Sequence, residues 1–210
     1  MEMSSTTTFA LIRHGQTDWN AQFRIQGTSD IPLNEVGRRQ AVDATVPLAS
    51  FHNGERDWDF IVSSPLSRAA VTADLIADGL HLDVMRRLPS LVERHYGKAE
   101  GMSAGPELDA LRIPGGFHSA ETEESVAQRG ITALEQLAEE FPGARIIVVS
   151  HGTLIRLSLN EIFDISVGPI TNAALTVVRS TPSGWHLDHF NGEEFITEER
   201  PAEEMEPSGA

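Results

Sequence analysis

Residues 146–149 read Ile-Ile-Val-Val, an unbroken β-branched run. Side chains on a strand alternate between the two faces of its sheet, so this run demands an apolar layer on each side. A sheet with one wet face cannot house it; a sheet held between helices can. Residues 9–13 and 60–62 read as two more short strands, and 174–178 and 185–190 as a further pair. Helical patterns alternate with them. Residues 33–49 read as a helix with Asn34 as its N-cap, which Pro47 must end or kink near Thr45. Residues 65–79 carry Ala70, Ala73, Ile76 and Ala77 along one side, with Gly79 as the stop. Residues 124–141 repeat Ala127, Ile131, Leu134, Ala138 and Phe141 at helical spacing, and residues 153–163 form a last helix directly after His151-Gly152. Residues 87–121 are irregular, the kind of long connection that is usually functional. The alternation predicts a three-layer α/β/α sandwich around a largely parallel sheet, with no second domain.

Charge narrows the partners. Sixteen Lys and Arg stand against 31 Asp and Glu, a net −15, which excludes nucleic acid or an anionic membrane as the main partner. A small anionic substrate stays open, because a few convergent arginines outweigh a distant acidic surface. There are no cysteines, so thiolate chemistry and disulfides are excluded. No apolar run is long enough to span a membrane, and the opening MEMSSTTT lacks the features of a secretory signal, so a cytoplasmic protein is expected. From Gly192 onward there are seven Glu and one Arg without periodicity; residues 192–210 read as an acidic, disordered tail.

Two of the strands end alike, in Leu11-Ile12-Arg13-His14-Gly15 and Val148-Val149-Ser150-His151-Gly152. In open α/β sheets ligands gather beyond the carboxyl ends of strands. If the two strands are parallel neighbours, His14 and His151 emerge together. The segment FIVSSPLSRA adds Arg68 from the first turn of the next helix. Guanidinium forks suit phosphate oxygens and stay charged, and a neutral imidazole can attack phosphorus. Arg13, Arg68 and a protonated His151 would supply the fixed charge, and Gly15 a close approach and a sharp turn. By contrast, His186 and His189 in HLDH are three apart on a strand and face opposite ways, which argues against a metal pair.

Arg13-His14-Gly15, the arginine of SSPLSRA, Glu93-Arg94-His95-Tyr96-Gly97 and the late Ser150-His151-Gly152 together resemble the histidine phosphatase superfamily, also called phosphoglycerate mutase-like, in the right order over roughly residues 9–180. The resemblance implies the phosphoglycerate mutase-like fold, with a catalytic domain over residues 9–191 after a flexible N-terminus of residues 1–8. It implies that His14 becomes a phosphohistidine, that Arg13, Arg68 and His151 hold the phosphate, and that Glu93 protonates the leaving alcohol and then activates water. Thr17, Asn20 and Gly27 fall in its phosphate-contacting loop; Arg94 and Tyr96 are placed to touch the rest of a small phosphorylated metabolite. No metal and no cofactor are implied, since arginines supply the charge that Mg²⁺ supplies elsewhere. His95, Lys98 and His118 are candidates for the pocket mouth.

ERHYG resembles the mutase form, yet only 57 residues lie between Glu93 and His151, too few for the insertion that would shield a mutase intermediate from water. A metal-independent phosphatase is therefore expected. Cofactor-dependent phosphoglycerate mutase-type transfer is the alternative, and a non-catalytic phosphate binder the second.

Overall fold

A computed structural model describes residues 6–51 and 57–195. In chain order these form β1 (Thr7–Arg13), α1 (Asp18–Ala21), α2 (Glu35–Asp43), α3 (Thr45–Ser50), β2 (Phe60–Ser63), α4 (Ser67–Leu80), β3 (Val84–Arg87), α5 (Pro106–Asp109), β4 (Arg112–Ile113), β5 (Gly116–Phe117), α6 (Glu123–Glu140), β6 (Arg145–Ser150), α7 (Gly152–Phe163), β7 (Leu175–Thr181), β8 (Gly184–Phe190) and β9 (Glu193–Glu194). The main sheet runs β3-β2-β6-β1-β7-β8-β9. β3, β2, β6 and β1 are mutually parallel, while β7, β8 and β9 add antiparallel pairings, so five of the seven strands point one way.

Strand alternation sorts the core into two layers, as the β-branched run requires. Phe9, Leu11, Phe60, Val62, Ile146 and Val148 pack on one face with Val126, Leu134 and Leu137 of α6 and Leu154 and Ile155 of α7. Ala10, Ile12, Ile61, Ile147 and Val149 pack on the other with Leu48 of α3 and Ala69, Ala73 and Ile76 of α4. Burying one Val, Leu or Ile side chain contributes roughly 1.5–3 kcal/mol, so these layers dominate what fixes the strand order. Among the described residues no helix is long and apolar enough to cross a membrane.

Several expected boundaries move. β1 starts at Thr7, so Thr7 and Thr8, assigned to the N-terminal segment, are buried strand residues. Asn34 caps α2 through Gly37 N–H at 2.9 Å, as expected. The helical stretch then divides at Ala44, and Pro47 sits inside the first turn of α3, where its missing N–H costs no helical bond. Gly79 does not stop α4. The helix runs to Leu80 and His81 ends it in the left-handed region; at Gly79 the side chain of Thr45 occupies the space a Cβ would need. β3 is an edge strand at Val84–Arg87, a stretch for which the sequence pattern predicts no element. The acidic tail begins inside the fold, where β9 pairs with β8; residues 1–5 and 196–210 lie outside the described residues.

Candidate active site

β1, β6 and β2 end in register, with Arg13 beside Ser150 and Ser63 beside Val149. The ladder continues one step further, His14 N–H donating to the Ser150 carbonyl and Ser64 N–H to the Val149 carbonyl, both at 2.9 Å. His14, Ser64 and His151 thus leave the sheet at one edge. The two imidazole rings stand 5.2 Å apart at 60°, and both are buried.

His14 Nδ1 lies 2.7 Å from the Gly15 carbonyl oxygen. A carbonyl only accepts, so Nδ1 carries the ring proton and Nε2 keeps a lone pair. Burial, then the charges of Arg68 and Arg13, hold this imidazole well below its ordinary pKa near 6.5. The ring is therefore neutral at neutral pH. His151 is lowered in the same way, by burial and then by Arg68, His14 and Arg13. Burial and the facing guanidiniums thus work against the protonated His151 expected from sequence. Its Nε2 pairs with the Ser64 hydroxyl at 2.8 Å, and its Nδ1 has no hydrogen-bond partner among the described residues.

Arg68 comes from the first turn of α4 and is fully buried. Its Nη2 donates to the Gly27 carbonyl at 2.7 Å and its Nη1 to the Ser29 carbonyl at 2.9 Å, which leaves Nε aimed at His14 Nε2 at 3.2 Å. Burial draws its pKa down to about 10, so it remains a cation at neutrality. The loop that supplies those carbonyls is itself clamped. Glu100 accepts from Thr28 N–H and Oγ1 at 3.0 and 3.1 Å, from Ser29 N–H and Oγ at 2.9 and 2.5 Å, and from Tyr96 N–H at 3.2 Å. Asp30 ties the loop to α4 through the N–H and hydroxyl of Ser67, both at 2.8 Å. Arg13 donates from Nη1 to the Ile170 carbonyl at 2.7 Å, and its buried Nε has no partner among the described residues.

Glu93 sits at the N-terminus of α7. Its carboxylate accepts Thr153 N–H at 3.0 Å and Leu154 N–H at 3.2 Å, orphan donors of the α7 start, and Arg94 N–H at 2.8 Å from its own segment. Arg13, Asn20, Glu93 and Tyr96 line one cavity of about 350 Å³. The Tyr96 hydroxyl pairs with Thr153 Oγ1 at 2.7 Å, and burial followed by the charge of Glu93 pushes its pKa up to about 12.

Other expected residues do different work. Arg94 does not line that cavity: Nε, Nη1 and Nη2 donate to the Glu121 carbonyl, the Glu123 carboxylate and the Gly115 carbonyl, at 2.8, 2.9 and 2.9 Å. Gly15 needs no left-handed turn and donates its N–H to Thr72 Oγ1 at 3.1 Å; it is glycine because the backbone of Gly37 in α2 fills the place of a Cβ. Thr17 spends its hydroxyl within the loop, donating to Gln26 Oε1 at 2.8 Å and capping Asn20 N–H at 3.2 Å. Gly27 acts through its carbonyl on Arg68. His95, Lys98 and His118 are exposed and do not line the cavity. The sequence reading missed Gln26, Arg24, Thr153 and Arg156, all on the cavity wall, and Asn172, which donates to the His14 carbonyl at 2.9 Å. Their only sequence signal was position: Gln26 and Arg24 adjoin the loop already singled out, and Arg156 follows Gly152 by one helical turn.

A neutral histidine whose Nε2 accepts from a buried arginine, at the carboxyl edge of parallel strands, places the chain among α/β sandwich proteins with a cation-lined pocket at that edge. Comparison with known proteins narrows that class. A model of the histidine phosphatase superfamily (branch 1) matches residues 9–193, and the chain belongs to that family. It is 35% identical over 190 residues to the uncharacterized phosphatase PhoE of Bacillus subtilis, covering 88% of this chain and 94% of that one. It is 36% identical over 203 residues to a metal-independent phosphoserine phosphatase of Arabidopsis thaliana, covering 90% and 82%. Among solved structures, a mycobacterial glucosyl-3-phosphoglycerate phosphatase superposes with a TM-score of 0.75 at 28% identity, covering 90% of this chain and all of that one.

Proposed function

We propose that the chain is a metal-independent phosphatase that hydrolyses a small phosphomonoester through a phosphohistidine on His14. The observation that carries the reading is the His14 ring itself: its proton is committed to the Gly15 carbonyl, and its Nε2 lone pair points into a cationic surround. In the first step Glu93, having taken up a proton with the incoming phosphomonoester, delivers it to the departing alcohol as Nε2 attacks phosphorus and the ester P–O bond breaks. In the second step water attacks phosphorus, Glu93 takes the water's proton, and the P–N bond breaks to release phosphate and free His14. Arg13 and Arg68 balance the charge on the transferring oxygens throughout, and His151 contributes a hydrogen bond and gains a proton when that charge arrives.

The donor set favours an anion over a divalent cation. Arginines dominate it, and among the described residues no group of three or more His, Cys, Asp or Glu could hold a metal. Relatives carry names on both sides, phosphatases at 35–36% identity and phosphoglycerate mutases at 34–35%; the phosphatases match over more of both chains, which supports hydrolysis, and two phosphatases among the similar proteins are named for phosphoserine and a phosphoglycerate. The test is rapid-quench trapping with a ³²P-labelled aryl phosphate, run with and without EDTA. An acid-labile label on His14, lost in His14→Ala, with turnover indifferent to EDTA, is expected. Turnover without that label refutes the mechanism. Phosphoglycerate interconversion without net phosphate release assigns the mutase instead.

A further inference from the structure

Glu93 stands on a segment with no regular structure of its own. One short helical turn, Pro89–Leu91, precedes it, and residues 92–96 belong to no helix or strand. Backbone groups outside a ladder need other partners once they are buried. Side chains from distant segments supply them here. Ser150 Oγ donates to the Leu91 carbonyl at 2.8 Å. Arg129, from α6, donates through Nη1 to the carbonyls on either side of it, Ser90 at 2.9 Å and Val92 at 2.6 Å. Three consecutive carbonyls leading into Glu93 are thereby fixed.

The Arg129 guanidinium is fixed in turn. Its Nε and Nη2 meet the two carboxylate oxygens of Glu121 at 2.8 and 3.1 Å. Glu121 then reaches the other side of Glu93. Its carboxylate accepts from the His95 N–H at 3.4 Å, its own N–H donates to the His95 carbonyl at 2.8 Å, and its carbonyl accepts from Arg94 Nε at 2.8 Å. The pair therefore brackets Glu93, with residues 90 and 92 held by one partner and 94 and 95 by the other. Only a planar fork can serve two carbonyls and both oxygens of a carboxylate at once; the point charge of a lysine cannot. Burial alone would raise the Glu121 pKa, but the bond and charge of Arg129 outweigh it, so the carboxylate stays ionised. Neither residue lines the cavity.

We propose that Arg129, through its pair with Glu121, is a positioning residue for proton transfer by Glu93. The inference rests on the phosphatase reading and concerns its acid step: the proton passes from the Glu93 carboxyl to the ester oxygen as the P–O bond breaks. Arg129 touches no reacting atom. It fixes the backbone of the segment, and so the place from which the carboxyl reaches the leaving oxygen, where a shift of about 1 Å costs on the order of a hundredfold.

Leaving groups separate this role from a merely structural one. An alkoxide is a strong base and departs only with a proton, whereas p-nitrophenolate is a weak base and departs without one. The readout is the ratio of kcat/KM for an alkyl ester, the best of O-phosphoserine, 3-phosphoglycerate and glycerol 1-phosphate, to that for p-nitrophenyl phosphate. It is measured on the full chain, unsubstituted and as Glu93→Gln, Arg129→Gln, Arg129→Lys and the double variant Glu93→Gln/Arg129→Gln. Loss of folded protein lowers both rates equally and cancels in the ratio; where Arg129→Gln does not fold, Arg129→Lys carries the comparison. The ratio should fall in Glu93→Gln, fall by about fivefold or more in the Arg129 variants, and fall no further in the double variant than in Glu93→Gln. A smaller fall in the Arg129 variants, or a further fall in the double variant, overturns the positioning role and leaves the phosphatase reading standing. A ratio unchanged in Glu93→Gln, or an unsubstituted chain that cleaves only the aryl ester, removes Glu93 as the acid and the inference with it. If the unsubstituted chain hydrolyses none of these esters, the phosphatase reading itself fails.

Discussion

Glu100→Gln tests how the site is held. Glu100 touches neither imidazole, yet its carboxylate fastens Thr28 and Ser29, and the carbonyls of Gly27 and Ser29 orient Arg68. Oε2 takes both groups of Ser29, and Oε1 takes both groups of Thr28 and the N–H of Tyr96. A glutamine has one oxygen, so in either orientation its NH₂ meets at least two donors, and the surviving bonds lose their charge. A hydrogen bond to a charged group contributes roughly 1.5–3 kcal/mol. Glu100 stands partly in water, which recovers some of that, so a net loss of about 2–3 kcal/mol is expected, or roughly 5–10 °C in Tm for a chain of this size.

The functional effect follows from Arg68. A misplacement of about 1 Å in a charge-stabilising group costs on the order of a hundredfold, so kcat on an aryl phosphate should fall between about tenfold and a hundredfold, with KM moving less. Burial alone would raise the Glu100 pKa, but the bonds from Ser29, Thr28 and Tyr96 outweigh it and lower it below 4.5. That contribution to stability is therefore present above pH 4.5 and is lost as the pH falls through the depressed folded value; Glu100→Gln should lack that part of the acid limb. A variant with lowered Tm but kcat within twofold of the unsubstituted chain refutes the positioning argument. It would show that the clamp holds a loop without aiming Arg68.

Acid titration should expose the two neutral imidazoles. Below about pH 6.5 the unfolded chain protonates His14 and His151 while the folded chain, with both pKa values lowered, does not, so stability declines as pH falls, by up to about 1.4 kcal/mol per unit per group. The urea midpoint between pH 7 and 5 should fall less steeply in His14→Gln, and an unchanged slope contradicts the assignment. Gly15→Ala drives a Cβ into the Gly37 backbone, and Gly37→Ala meets the backbone of Gln16 from the other side, so each should destabilise by about 1–3 kcal/mol in thermal unfolding. Tyr96→Phe removes the bond to Thr153 but no charge; steady-state kinetics should show kcat/KM reduced by less than about tenfold. A loss of a thousandfold there would make the phenol part of the chemistry.

What was legible from sequence was local in origin. The run at 146–149 can be satisfied only with both faces covered, and two such runs that end in His-Gly place His14 and His151 at a common edge once the strands are parallel. Arg68 was readable because a helix start follows the β2 run at fixed spacing. Glu93 is different. Nothing local marks it, and it entered through resemblance alone, because its seat is the N-terminus of a helix that begins 59 residues later, at Gly152. Arg94 was misread for a related reason: an arginine beside a catalytic candidate looks available, and only the return of residues 115–123 shows its donors spent.

By itself, then, the sequence determined the layered architecture, the strand ends that carry the histidines and the presence of enough arginine to meet an anion. Those follow from side-chain alternation and helix starts, which depend on near neighbours. The tertiary structure alone decided that both imidazoles are neutral, that Glu100 holds the loop behind Arg68, and that Arg129 and Glu121 bracket the segment that carries Glu93. Charge state and pairing depend on what the folded chain brings within a few ångströms, and here those groups come from segments far apart in sequence.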